Sequence, residues 1–291
     1  MKISKNWAFP LIIAIGISAS LVGCASQPEK LQVDLPAKNV AAGIMPLDEY
    51  QYPAGEDIKA AYARALLMQP CLNEKGFVQK VPFVDIGTLN KSERNPFDEK
   101  RAGEFGYHSN GVVNNRNSAW ASYAYRTLKP GEQAALDGCN SKLSTSLPNA
   151  PVQTSNFASG LAAAAFDSSL RKSAVVAAES KWRSCMANAG VPDLPRGPME
   201  MPSKSVASKF GLDKPESAAA RVVSNEEKKL ALRDAQCRQS SGFTKAQYDA
   251  EWSAQVEALK KNADALVAAK KEFADFDRRV TTIITQNASK S

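Results

Sequence analysis

One histidine, His108, stands in the whole chain, which rules out a histidine-rich metal site and leaves a lone imidazole as the only ready general base. There is no G-x-S-x-G elbow to present a serine nucleophile and no glycine-rich loop to cradle phosphate. No cysteines or histidines stand at zinc-ligand spacing. No residue is therefore assigned as catalytic, and neither a cofactor nor a metal is expected. A hydrolase acting on wall or peptide is the competing reading. It would rest on His108 with Asp98 or Glu104 as its orienting partner. The most apolar stretch, residues 7–17, is too short to span a bilayer comfortably.

What is present is a helical inventory. Apolar residues make up 44% of 291 residues, enough for one sizeable core or two modest ones. Alanine, serine, lysine and glutamine are prominent, as in helical proteins. The formal charge is +7, and two of those charges, Lys2 and Lys5, lie in a segment expected to be removed. A mild positive balance is compatible with anionic lipids or wall polymers, but its ordinary meaning is a solvated surface. No nucleic-acid partner is expected.

Lys2 and Lys5, the apolar stretch at 7–17 and then Leu21-Val22-Gly23-Cys24 form a basic head, a short greasy middle and a small-residue cleavage site. The last four residues resemble the lipobox of bacterial lipoproteins. That likeness implies cleavage before Cys24 and a diacylglyceryl group on its thiol. Two acyl chains hold a protein stably at a membrane where one is marginal. Residues 1–23 are thus expected to be a signal peptide. Residues 24–50, with Pro28 and Pro36 early on, are expected to be a lipidated tether.

Beyond the tether, apolar spacing of three and four predicts helices over residues 57–74, 130–143, 156–189 and 224–239. Pro70 should kink the first, Gly76 should take its left-handed exit, and Phe77 should fold back on it. Residues 78–86 alternate enough for a short edge strand interrupted by Pro82. Ser224 with Glu227, and Thr244 with Gln247, are capping boxes. From Trp252 to Ile284 a heptad stripe runs through Leu259, Leu266, Phe273 and Val280, broken by Lys270 and Asp277. It predicts one helix of roughly 60 Å. An internal helical partner is favoured over a coiled coil between chains, so a monomer is expected. The alternative is a coiled-coil assembly protein.

Periodicity disappears between residues 88 and 127. Tyr107, Trp120 and Tyr125 crowd that stretch with Arg116 and Arg126 among them. If the loop is a recognition surface for sugar or peptide, Tyr107, Arg116 and Trp120 are its anchors. The more ordinary alternative is that the rings pin the loop to the helices.

Cys71, Cys139, Cys185 and Cys237 remain after lipidation, an even number for an oxidising compartment. Three pairings are open. The break at residues 147–151 favours neighbours, Cys71 with Cys139 and Cys185 with Cys237, so that units at 51–147 and 148–291 each own one bridge. Trp182 should then pack beside the second.

Trp182-Arg-Ser-Cys185-Met186-Ala-Asn-Ala-Gly190-Val191, followed by Pro192 and Pro195, resembles the Cys-Met, Gly-Val, Pro signature of poorly characterised exported lipoproteins of high-GC Gram-positive bacteria (actinobacteria). Asp234 to Cys237 is similar to the Asp-x-x-Cys segment of that group, and Cys71 to Phe77 with Phe105-Gly106-Tyr107 to its earlier blocks. The likeness covers about residues 57–285 and implies no chemistry. It does imply an association of some members with export systems or peptidoglycan-binding proteins. The expected protein is mainly all-α, with long antiparallel helices stapled by two disulfides and a long irregular aromatic-rich loop. It would be a non-enzymatic binding or scaffolding module on the outer face of the cell membrane, held there through Cys24 and meeting a protein or cell-wall partner.

Overall fold

The apolar stripes of the sequence are buried by pairing helices that lie far apart in the chain. A computed structural model describes residues 35–89, 96–108, 118–143, 146–147, 149–213 and 223–288. Among these the fold is mainly helical: α1 (Glu56–Glu74), α2 (Glu99–Phe105), α3 (Ser118–Ala124), α4 (Glu132–Leu143), α5 (Val152–Ser169), α6 (Ser173–Met186), α7 (Lys204–Phe210), α8 (Asn225–Ser240), α9 (Phe243–Lys261) and α10 (Ala263–Asn287). Two disulfides, Cys71–Cys139 and Cys185–Cys237, tie α1 to α4 and α6 to α8. No helix among the described residues is long and apolar enough to cross a membrane.

Helices from both sides of the expected boundary near residue 147 pack on one another. α1 packs on α10, α2 on α8 and α5 on α9. Tyr62, Ala63 and Leu66 of α1 share a core with Phe276, Val280 and Ile284 of α10. Lys59 of α1 adds a half-buried ion pair to Asp277 of α10, with the Glu56 carboxylate 3.5 Å from its ammonium. The heptad stripe is therefore spent inside the molecule.

Two long helices of the sequence reading are each divided. Residues 156–189 break between α5 and α6, where Ser168 and Ser169 turn their hydroxyls onto the carbonyls of Ala165 and Phe166 at 2.9 and 2.6 Å. Such back-bonding competes with the helical ladder. The 60 Å helix breaks at Asn262, whose side-chain amide donates to the Ala258 carbonyl at 2.8 Å while its backbone leaves helical geometry. Leu259 and Leu266 still meet in one cluster across that bend. α9 begins at Phe243 behind Gly242, so the Thr244 box is not its start; α8 does begin behind Ser224, whose hydroxyl accepts from the Glu227 amide at 3.1 Å.

No strand forms among the described residues, and residues 78–86 are no exception. Val81 and Val84 are buried while Val78 and Phe83 are exposed. That is a spacing of three along an extended segment with no neighbouring strand to complete a ladder. Pro70 stays inside α1 with its ring turned outward. Gly76 takes φ +85°, and the Phe77 amide reaches back to the Leu72 carbonyl at 2.9 Å, which closes the helix end beside Cys71.

Part of the stretch expected to be a tether, 24–50, is packed on the helices. Residues 24–34 lie outside the described residues, but 39–50 are docked. Tyr248 accepts from the Asn39 amide at 3.0 Å and donates to the Ile44 carbonyl at 2.8 Å. The Leu47 amide donates to buried Gln255, and the Leu47 side chain is fully enclosed.

Candidate functional site

The aromatic region does not form a surface of exposed rings at the expected anchors. Trp120 is only 7% exposed. It meets Tyr62 edge-on at 5.7 Å and stacks on Tyr123 within the α1–α10 core. α2 and α3 lie within what the sequence leaves irregular. Arg116 lies outside the described residues, as does Cys24. Tyr107 is turned inward with its ring parallel to Phe97 at 5.5 Å and its hydroxyl on Asp234. Burial, then the neighbouring Asp234 charge, pushes its phenol far above the usual tyrosine range. The ordinary alternative, rings that pin the segment to helices, describes Tyr107 and Trp120.

Asp234 is the centre that Tyr107 reports. It is fully buried on α8, one turn before Cys237, and its two oxygens accept from four donors. Trp182 of α6 donates its indole N–H at 2.8 Å, and Arg238 donates through Nε and Nη2, both at 2.9 Å. The Tyr107 hydroxyl completes the set at 3.3 Å. Arg238 spends a third bond on the Pro198 carbonyl at 2.7 Å and lies over the Phe97 ring at 4.5 Å. A buried carboxylate is tolerable only when so fully answered, and the bidentate guanidinium supplies the countercharge. The arrangement fixes α2, α6, α8 and the proline-rich connector around the Cys185–Cys237 bridge. With every oxygen engaged, it is built to hold rather than to react.

His108 belongs to the margin of the same network. Only 8% exposed, it faces Glu227 with Nε2 3.4 Å from Oε2. Asp98 instead caps α2, accepting from the Arg101 amide at 2.8 Å. Glu227 also takes the Tyr107 amide at 2.9 Å, an approach that requires Gly106: a Cβ there would lie 2.8 Å from the Glu227 carboxyl carbon. Among the described residues no group of three or more His, Cys, Asp or Glu side chains has the placement to hold a metal ion.

The open face of α8 borders a cleft of about 580 Å³ between α7, α8 and the exit of α6. Val206, Phe210 and Leu230 supply apolar lining, and Lys209, Lys229 and Arg233 supply cations. Lys209 is paired with Glu226 at 2.6 Å, whereas Arg233 gives one nitrogen to the Cys185 carbonyl at 3.0 Å. The Lys229 ammonium has no ion-pair or hydrogen-bond partner among the described residues. The wall carrying α7 is fixed by Asp193, which accepts from the Ser203 hydroxyl at 2.7 Å and the Ser205 amide at 2.9 Å. Hydrogen bonds from Ser205 first and Ser203 next hold the Asp193 carboxyl down to about 2.

No family model, curated protein or solved structure matches this chain. The sequence reading missed this cleft because its lining comes from three separated segments. The one local signal was Lys229 and Arg233 one helical turn apart on a helix already identified.

Proposed function

We propose that the protein is a lipid-anchored, extracytoplasmic lipoprotein whose helical body works as a non-enzymatic binding or scaffolding module at the membrane–wall boundary. The observation that carries this is the cysteine usage. Four of the five cysteines are consumed in two bridges, which belong to an oxidising compartment, and the one left over is Cys24 behind its leader. Lipidation gives that cysteine a role that an ordinary secreted protein would not. The resemblance to exported actinobacterial lipoproteins, some of which are associated with export systems or peptidoglycan-binding proteins, supports the same reading.

Of the competing readings, a His108 hydrolase is the weaker, since His108 is buried against Glu227 and does not line the cleft between α7, α8 and the exit of α6. A coiled-coil assembly would need the stripe through Phe273 and Val280, and both are buried within the chain. Intact-mass analysis of the membrane fraction tests the anchor. Loss of residues 1–23 and a diacylglyceryl adduct on Cys24 are expected; a soluble product with a free thiol at Cys24 would refute it.

A further inference from the structure

We propose that the cleft between α7, α8 and the exit of α6 binds a peptide by its free C-terminal carboxylate, with Lys229 and Arg233 taking the charge and Val206, Phe210 and Leu230 taking the terminal side chain. This rests on the binding-module reading and gives it a ligand class, but it is independent of the Cys24 anchor.

The charge balance is the first argument. Three cations line the cleft against one carboxylate, Glu226, and Glu226 is already paired with Lys209. Asp193 lies beside the cleft, but its charge is turned onto Ser203 and Ser205. Lys229 and Arg233, at positions i and i+4 of α8, therefore leave a positive edge that is uncompensated among the described residues, above an apolar lining. Such an edge fits a ligand that is anionic at one end and apolar next to it.

Geometry narrows the class. A guanidinium is planar and takes a carboxylate through parallel N–H bonds, and Arg233 uses only one nitrogen for the Cys185 carbonyl. An ammonium is a compact point charge, suited to the second carboxylate oxygen or its neighbouring carbonyl. The volume, about 580 Å³, lies within the range of sites for small ligands and suits a few residues of chain rather than a folded surface. The lining is also held in place. Val206 is buried behind the Ser203 cap, and Arg233 is tethered next to the Cys185–Cys237 bridge. Capture of a terminal carboxylate is a recurring mode of peptide recognition.

The test uses the full chain, immobilised, with paired libraries of N-acetylated tripeptides that end in a free carboxylate or in a carboxamide. Free acids should be retained about tenfold better than the matching amides, the usual worth of hydrogen bonds to a charged group. Lys229→Ala and Arg233→Gln should each remove most of that preference, while Lys142→Ala on α4 should leave it intact. Because Arg233 touches the Cys185 carbonyl, its variant is checked by recovery of the Cys185–Cys237 peptide. Lys229→Ala, at an exposed position, carries the test by itself if that bridge fails. Equal retention of acids and amides, retention of neither, or equal sensitivity to Lys142→Ala would overturn the proposal. Binding to phosphatidylglycerol vesicles that is lost in the Lys229 and Arg233 variants, without any preference for peptide acids, would also overturn it and assign the cleft to lipid. None of these outcomes bears on the mass of Cys24, which decides the anchor separately.

Discussion

Cys71, Cys185 and Cys237, though not Cys139, share a local sequence, a cysteine followed five residues later by glycine and then an apolar residue, yet the polar groups beside the two bridges differ. Cys71–Cys139 sits among Met68, Leu72, Ala135 and Phe77, an apolar patch. Its nearby buried carboxylate, Glu132 on α4, takes the Lys129 amide at 2.9 Å, Gln79 at 3.1 Å and Arg126. Cys185–Cys237 adjoins Asp234 and its four donors, drawn from the exit of α2, from α6 and from α8 itself. The first bridge closes a helix pair that apolar contact already favours. The second has an apolar shell of its own, with Trp182, Met186 and Leu230, and adds a matched set of buried hydrogen bonds that fixes one arrangement.

The sharpest way to break this comparison is to remove each carboxylate. Asp234→Ala leaves the Arg238 guanidinium, itself buried, without its countercharge, and should cost about 3–5 kcal/mol. Glu132→Ala releases Arg126, which is partly solvated, and should cost about 1–3 kcal/mol. Urea midpoints at constant slope check both; equal losses would mean that the second network is no more demanding than the first.

Removing the bridges comes next. The double variants Cys71→Ser with Cys139→Ser, and Cys185→Ser with Cys237→Ser, should each cost about 2–5 kcal/mol. Loop closure alone makes them nearly equal, because sequence separations of 68 and 52 residues differ by only about 0.2 kcal/mol in chain entropy. A larger gap in denaturation midpoints therefore reports the surroundings, and the second pair should lose more.

The smallest effect is one of pH and contrasts two buried acids in the half that holds the first bridge. The Lys129 amide, with Arg126 beside it, holds Glu132 below the usual carboxylate range despite burial. Its contribution is present above the unfolded-chain value and is lost as pH falls through the folded one. Burial raises Glu56, with Asp277 adding to the shift against the pull of Lys59. Its contribution is complete below the unfolded-chain value and declines as pH rises through the folded one. In thermal melts between pH 3 and 8, Glu132→Gln should flatten the acid limb, and Glu56→Gln should flatten the decline above it. Unaltered profiles in both would refute the assignment.

Much of the helical content was legible in the sequence because buried faces repeat at helical spacing, and the Ser224 cap and the turn from Gly76 to Phe77 are local chemistry. Helix breaks were less legible. Ser168, Ser169 and Asn262 act through single side-chain bonds to carbonyls, which a running apolar stripe conceals. The aromatic segment misleads for another reason. Trp120 and Tyr107 are apolar bodies with polar handles, and composition does not say whether such a ring faces solvent, a core or a buried carboxylate.

Sequence alone determined the helical class and the neighbour pairing expected for the four cysteines, since each follows from residues close along the chain or from their count. Tertiary structure decided that α1 closes on α10, that residues 39–50 are docked on Tyr248 and Gln255, and that Asp234 gathers donors from three segments. It also decided where Lys229 and Arg233 meet an apolar cleft. The reason is that burial and hydrogen-bond saturation belong to groups brought together across the chain, and no local pattern records which distant donor will answer a buried charge.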